Sequence, residues 1–102
     1  KRIFYIYGKK NSYRGDHAHK KCKQLFIPIS GKVELIIKKD NKENKFSLYP
    51  EKNQAILIPN LYWCNLKFIT SNAVIMVACD RKYEFNDYIE KYSDFTKIEN
   101  NK

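Results

Sequence analysis

His17 and His19 are the only histidines in the 102-residue chain, and a single residue separates them. In a strand, side chains alternate, so both imidazoles point to one face and Ala18 to the other. Imidazole changes charge near neutral pH and also ligates metals. Two rings converging on one spot therefore predict proton transfer or metal binding. The plainer alternative is a solvated pair in a polar turn, since Asp16 precedes the pair and Lys20 and Lys21 follow it.

Holding such a pair requires strands, and the chain supplies them nearly end to end. Residues 2–7 are aromatic and β-branched and stop at Gly8. Further strands are predicted over 24–29, 32–38, 45–49, 54–58, 62–68 and 73–79, divided by Ser30-Gly31, a polar loop at 40–44, Pro50 and Pro59-Asn60. The run 73–79 is apolar throughout, as a strand buried on both faces would be. Short strands at regular spacing argue for an all-β sandwich or barrel. The tail differs: Asn86 or Asp87 is placed to cap a short helix through 88–92, and residues 99–102 read as a frayed end. One domain is expected, without repeats or linkers.

Composition narrows the function classes. The formal charge of +9 comes mostly from scattered lysines, with Arg2, Arg14 and Arg81 the only arginines. Phosphate recognition favours arginine forks, so neither a nucleic-acid partner nor a membrane partner is expected. A basic surface can still steer a dianionic sugar nucleotide. No apolar run approaches a membrane span and no secretory signal opens the chain. Cys22, Cys64 and Cys79 form no CxxC pair, which predicts free thiols in a reducing cytoplasm.

Small jelly-roll barrels hold ligands in their open ends. Here His17-x-His19, four residues, Gln24, six residues and Gly31 resemble the first conserved pattern of the cupins, with Gln where metal-binding members carry Glu. Pro59-x-Leu61-x-x-Cys64 stands where the second pattern reads Pro-x-Gly-x-x-His. The expected fold is thus a cupin-type double-stranded β-helix with a short C-terminal helix. A His17, His19 and Cys64 set could bind zinc in principle, which keeps a metal-dependent cupin as an alternative.

A narrower resemblance rests on four blocks: 1–6, Arg14-Gly15-x-His17-Ala18-His19-Lys20-Lys21-x-x-Gln24, Trp63 in a Pro-x-x-x-Trp turn, and Asp87-Tyr88-Ile89-x-x-Tyr92-x-x-Phe95. These resemble the WxcM-like cupin family of dTDP-4-keto-6-deoxyglucose 3,4-ketoisomerases. The resemblance implies a cytoplasmic, homodimeric enzyme without metal or other cofactor. It would move a keto group from C4 to C3 of a dTDP-linked deoxyhexose in bacterial surface-polysaccharide synthesis. One of His17 and His19 would be the base and the other would move protons among oxygens; their order is open. Arg14 or Lys21 would stabilise an enediolate or the diphosphate. Tyr5 and Tyr7 share one face of a strand, and each is a sugar or base contact or a packing residue. Trp63 is a ligand wall or core, and Gln24 would hold a histidine tautomer.

The family usually has a basic residue at Cys64, so a cupin that binds a sugar nucleotide without turning it over is a second alternative. A 3,5-epimerase-like cupin fits the Arg-Gly-x-His-Ala-His block less well. The family's domain also normally opens earlier, with a strand bearing an arginine turn. The expectation is a single cupin domain over 1–102 that lacks that strand.

Overall fold

The computed structural model describes residues 1–100. Nine strands run in chain order: β1 Arg2–Tyr7, β2 Tyr13–His19, β3 Gln24–Ser30, β4 Val33–Lys39, β5 Lys42–Leu48, β6 Ile56–Ile58, β7 Trp63–Phe68, β8 Val74–Cys79 and β9 Tyr88–Ile89. Among the described residues one α-helix, α1, spans Tyr92–Asn100. The strands form two antiparallel sheets, ordered β1-β8-β3-β6 and β5-β4-β7-β2-β9. This is the expected all-β cupin jelly roll with a short C-terminal helix. Among the described residues, no helix is long and apolar enough to cross a membrane.

Period-two patterning fills the space between the sheets. Val33, Leu35, Leu48, Leu66, Phe68, Ile75 and Val77 are fully buried there, and Phe4 and Ile6 of β1 pack onto them. A second cluster lies on the other side of the larger sheet, where α1 covers it. It joins Ala18, Trp63, Ile89 and Phe95.

Two local expectations are corrected. The polar stretch 40–44 is not a loop. Asp40 and Asn41 both take positive φ (52° and 64°), the form of a two-residue hairpin turn, so pairing starts at Lys39 and Lys42. Asp87 and Asn86 do not cap a helix over 88–92. Tyr88 and Ile89 pair with His19 and Ala18 as a strand, and the helix starts only at Tyr92. The terminal expectation falls partly outside the described residues: the helix continues to Asn100, and 101–102 are not described.

The turn at Gly31 tolerates no side chain. Its φ is +68°, and a Cβ there would lie 2.6 Å from the Ala73 Cα, a backbone atom that cannot swing aside. The left-handed backbone and the overpacking each cost about 1–2 kcal/mol or more for an L side chain. Gly31→Ala is therefore expected to lose about 2 kcal/mol or more, seen as a lower Tm with an unchanged fold.

Candidate active site

The inner face of β2 builds the site. His17 and His19 lie two apart, and their rings meet edge-on with centroids 5.0 Å apart and planes at 84°. Ala18 turns to the opposite face, into the cluster under α1. The pair is therefore not a solvated turn: His19 is only 5% exposed and His17 is half-buried.

His17 lies on the wall of a cleft of about 310 Å³. Phe4, Tyr5 and Ile6 of β1, Arg14, Gly15, Gln24, Phe26, Cys64, Leu66 and Tyr88 form the rest of the wall. Strict alternation would put Arg14 on the face opposite His17. Instead, the pairing of β2 with β7 shifts between Arg14, opposite Leu66, and His17, opposite Cys64. One extra residue is accommodated there, with Gly15 at φ +74°. This bulge brings Arg14 and His17 onto the same wall. Arg14 Nη1 donates to the Tyr7 carbonyl at 2.9 Å, which ties it to the end of β1.

Behind the wall, His19 is anchored. Its Nδ1 lies 3.3 Å from Asp87 Oδ2. The Asp87 carboxylate also accepts the backbone N–H of Lys21 at 2.8 Å and of Cys22 at 3.1 Å. A carboxylate that accepts Nδ1–H leaves the lone pair on Nε2. That Nε2 is buried without a partner in the protein. Tyr88 packs against both imidazoles, 4.3 Å from His19 and 5.2 Å from His17, and its hydroxyl accepts from Arg2 Nη2 at 2.9 Å.

Burial first, and next the neighbouring His19, push His17 down to about 4, with Asp16 opposing. Burial also lowers His19, against the pull of Asp87. Both rings are therefore neutral at pH 7. The folded protein resists protonation that the unfolded chain accepts at the ordinary imidazole value of 6.5. Stability from this source is full above about pH 6.5 and is lost as pH falls toward 4. The His17 share between pH 7.5 and 5 is about 2 kcal/mol. Melting curves should show the loss, and His17→Asn should remove the His17 share and leave that of His19.

The remaining expected site residues divide. Tyr5 borders the cleft, but its strand position sets it on the outer face with Ile3 and Tyr7, half-exposed. Gln24 borders the cleft and is buried, but its Nε2 meets Cys79 Sγ at 3.5 Å, so Asp87, not Gln24, fixes a histidine tautomer. Lys21 is exposed and off the cleft; only its backbone N–H takes part, at Asp87. Trp63 is core, not ligand wall: it is 4% exposed beneath α1, against Tyr92 and Phe95, on the face opposite Cys64.

Cys64 does line the cleft, but burial pushes its thiol up to about 12, with Asp16 adding to the shift. The His17, His19 and Cys64 side chains do not gather as a metal-binding set. No cluster of three His, Cys, Asp or Glu side chains fit for a metal occurs among the described residues. Leu61 takes a positive φ of 63° where the cupin pattern has Gly.

Asp87 and Tyr88 are the site residues that alternation does not point to. Their signal is the Asp-Tyr-Ile block itself, whose buried acid has to find a partner.

Comparison with known proteins follows the same lines. A family model described as FdtA: WxcM-like, C-terminal matches residues 1–100. TDP-4-oxo-6-deoxy-alpha-D-glucose-3,4-oxoisomerase of Aneurinibacillus thermoaerophilus is 30% identical over 98 residues, 95% of this chain and 70% of that protein. The structure of WlaRA (TDP-fucose-3,4-ketoisomerase) from Campylobacter jejuni is 30% identical, with a TM-score of 0.91 over 99% of this chain and 75% of its own. QdtA, a sugar 3,4-ketoisomerase from Thermoanaerobacterium thermosaccharolyticum solved in complex with TDP, is 28% identical, with a TM-score of 0.90 over 99% of this chain and 74% of its own. With the family model spanning both the histidine strand and the Asp-Tyr-Ile tail that meets it, the chain belongs to the FdtA family of WxcM-like C-terminal domains.

Proposed function

We propose that the protein is an isomerase that moves the keto group of a dTDP-linked 4-keto-6-deoxyhexose from C4 to C3. The observation that carries this reading is the pair of neutral imidazoles, one on the cleft wall and one anchored by a buried carboxylate. The C4 ketone acidifies the C3 proton. A base removes it, the enediol redistributes a proton from O3 to O4, and the carbon proton returns at C4. Atoms and electrons balance without an external oxidant.

His17 is the ring on the cleft wall, and His19, behind it, is the ring whose basicity the fold supports. Asp87 fixes its tautomer and would stabilise the imidazolium that forms. It also counters the lowering of the His19 pKa by burial, and a base works best with a pKa near the working pH. His17, held neutral down to about 4, keeps a proton poorly and suits movement of protons between O3 and O4. Arg14, on the same wall, offers positive charge to the enediolate or the diphosphate. Incubation with dTDP-4-keto-6-deoxyglucose should give the 3-keto isomer in the NMR spectrum. Bound dTDP with an unchanged sugar would replace this reading with a binding module, which the neutral Cys64 thiol on the cleft wall favours.

The proposed setting is the cytoplasm, in sugar supply for surface polysaccharide. Three free cysteines, all buried, fit a reducing compartment.

The proposed assembly is a homodimer through the outer face of the smaller sheet. Tyr5, Met76 and Ile27 lie in one cross-strand row, and Ile3, Ala78, Leu25 and Leu57 in the next. None of these positions is charged on a chain of net +9, so this is the face where two copies meet with least repulsion. Apolar patches of this breadth mark interaction sites. Sedimentation at micromolar concentration should give twice the 12.2 kDa chain mass. Met76→Lys should give monomers, and a monomeric wild type would contradict the assignment.

A further inference from the structure

The β2 bulge decides whether Arg14 and His17 share the cleft wall, and a single side-chain contact holds it from outside. Asp16 sits inside the bulge, between the two pairing points at Arg14 and His17. It is exposed, and its Oδ1 accepts the indole N–H of Trp63 at 3.0 Å. Trp63 cannot follow a moving partner. It is buried, with its ring centroid 5.3 Å from that of Tyr92 and 5.8 Å from that of Phe95, both on α1. An exposed carboxylate is thereby fixed to an immobile donor on the back of the sheet.

We infer that Asp16 is a positioning residue: by holding the Trp63 indole it pins the bulge that sets Arg14 and His17 side by side on the cleft wall. A strand without its bulge returns to strict alternation, and a shift of one residue moves side chains to the opposite face. Gly15, at φ +74°, supplies the freedom for the bulge but nothing to hold it. The bond to Trp63 supplies the hold and couples α1 to the site. Neither the family's reaction nor the cleft lining assigns Asp16 a role, since its side chain points away from the cleft.

The inference rests on the proposed isomerase reading for its turnover readout, and a second readout is independent of it. Asp16→Ala removes the acceptor, whereas Asp16→Asn keeps a side-chain carbonyl that can accept the same indole N–H. Asp16→Ala should lower kcat on the order of 100-fold, the scale of a misplacement of about 1 Å at a reacting group. Its Tm should fall less than its turnover, because the contact is only part-buried and water can take the acceptor's place at the indole N–H. Asp16→Asn should restore most of the lost turnover. Trp63→Phe combined with Asp16→Ala should be no worse than the more impaired single variant, since both break one contact.

The His17 ring protons in the NMR spectrum should move further in Asp16→Ala than in Asp16→Asn, since both lose the Asp16 charge that His17 feels but only the Ala variant loses the bond to Trp63, and the ring lies against His19 and Tyr88. Wild-type turnover in Asp16→Ala would overturn the inference. So would equal loss in the Ala and Asn variants with His17 resonances displaced equally or unmoved. Should the wild type turn over no sugar, the proposed function fails. The ring protons then decide alone: displaced further in Asp16→Ala than in Asp16→Asn they support the pin, and displaced equally or unmoved they overturn it.

Discussion

His19→Asn should lower turnover of dTDP-4-keto-6-deoxyglucose by on the order of 100-fold or more, the typical worth of a general acid–base group. His17→Asn should fall by a similar factor. Asparagine keeps polarity and approximate size but can neither take nor hold the proton. Affinity for dTDP should barely change in either variant, because the imidazoles address the sugar ring. The stability readout separates the two positions. His19 spans Asp87 and Tyr88 from inside the fold, so His19→Asn should lower Tm, whereas His17 borders the cleft and should lower it less. Activity that falls only in proportion to stability would remove both residues from the chemistry. Activity that tracks bound metal in the same variants would restore the metal-dependent alternative.

Asp87→Asn should also lower kcat on the order of 100-fold or more, with the fold retained. The amide keeps an oxygen that can accept from one backbone N–H. At the Oδ2 position its NH2 end faces both the Cys22 N–H and His19 Nδ1, at the Oδ1 position it faces the Lys21 N–H, and in either orientation the negative charge that would stabilise an imidazolium is gone. An NH2 beside Nδ1 moves the ring proton to Nε2, the atom that should carry the lone pair, and a wrong tautomer is the known cost of this substitution in His–Asp pairs. Asp87→Ala should be more severe for the fold. It leaves the Lys21 and Cys22 N–H groups and the His19 ring unpaired where Asp87 is buried, at about 1–3 kcal/mol for each unsatisfied buried group. Chemical denaturation of the two variants beside kinetics of the Asn form distinguishes tautomer control from simple stabilisation.

What could be seen in the sequence depended on how local the determining contacts are. His17 and His19 share a face because alternation is a property of the strand itself. Trp63 and Cys64 are adjacent, so alternation already forbids both from facing the cleft; burial beneath α1 then decides against Trp63. Arg14 escapes alternation because of the bulge, and the only local trace of that is Gly15, the residue that accepts positive φ. Asp87 carries the weakest local signal. An acid before Tyr88-Ile89 fits a helix cap as well as a buried tie between distant segments. A strand of two residues has no periodicity of its own, and its partner β2 lies some seventy positions away. The 40–44 segment misleads for a different reason: its polar residues mark solvent exposure on an edge strand, not the absence of pairing.

The most direct test follows the carbon-bound protons. Wild-type protein, its dTDP-4-keto-6-deoxyglucose substrate and deuterium oxide are combined, and the sugar ring is followed by proton NMR. The account predicts loss of the C3 proton resonance as the ketone appears at C3, with the proton or a solvent deuteron delivered to C4, and a rate reduced by on the order of 100-fold in His19→Asn. A sugar that keeps its C3 proton and its C4 ketone, while dTDP binds normally, would contradict it.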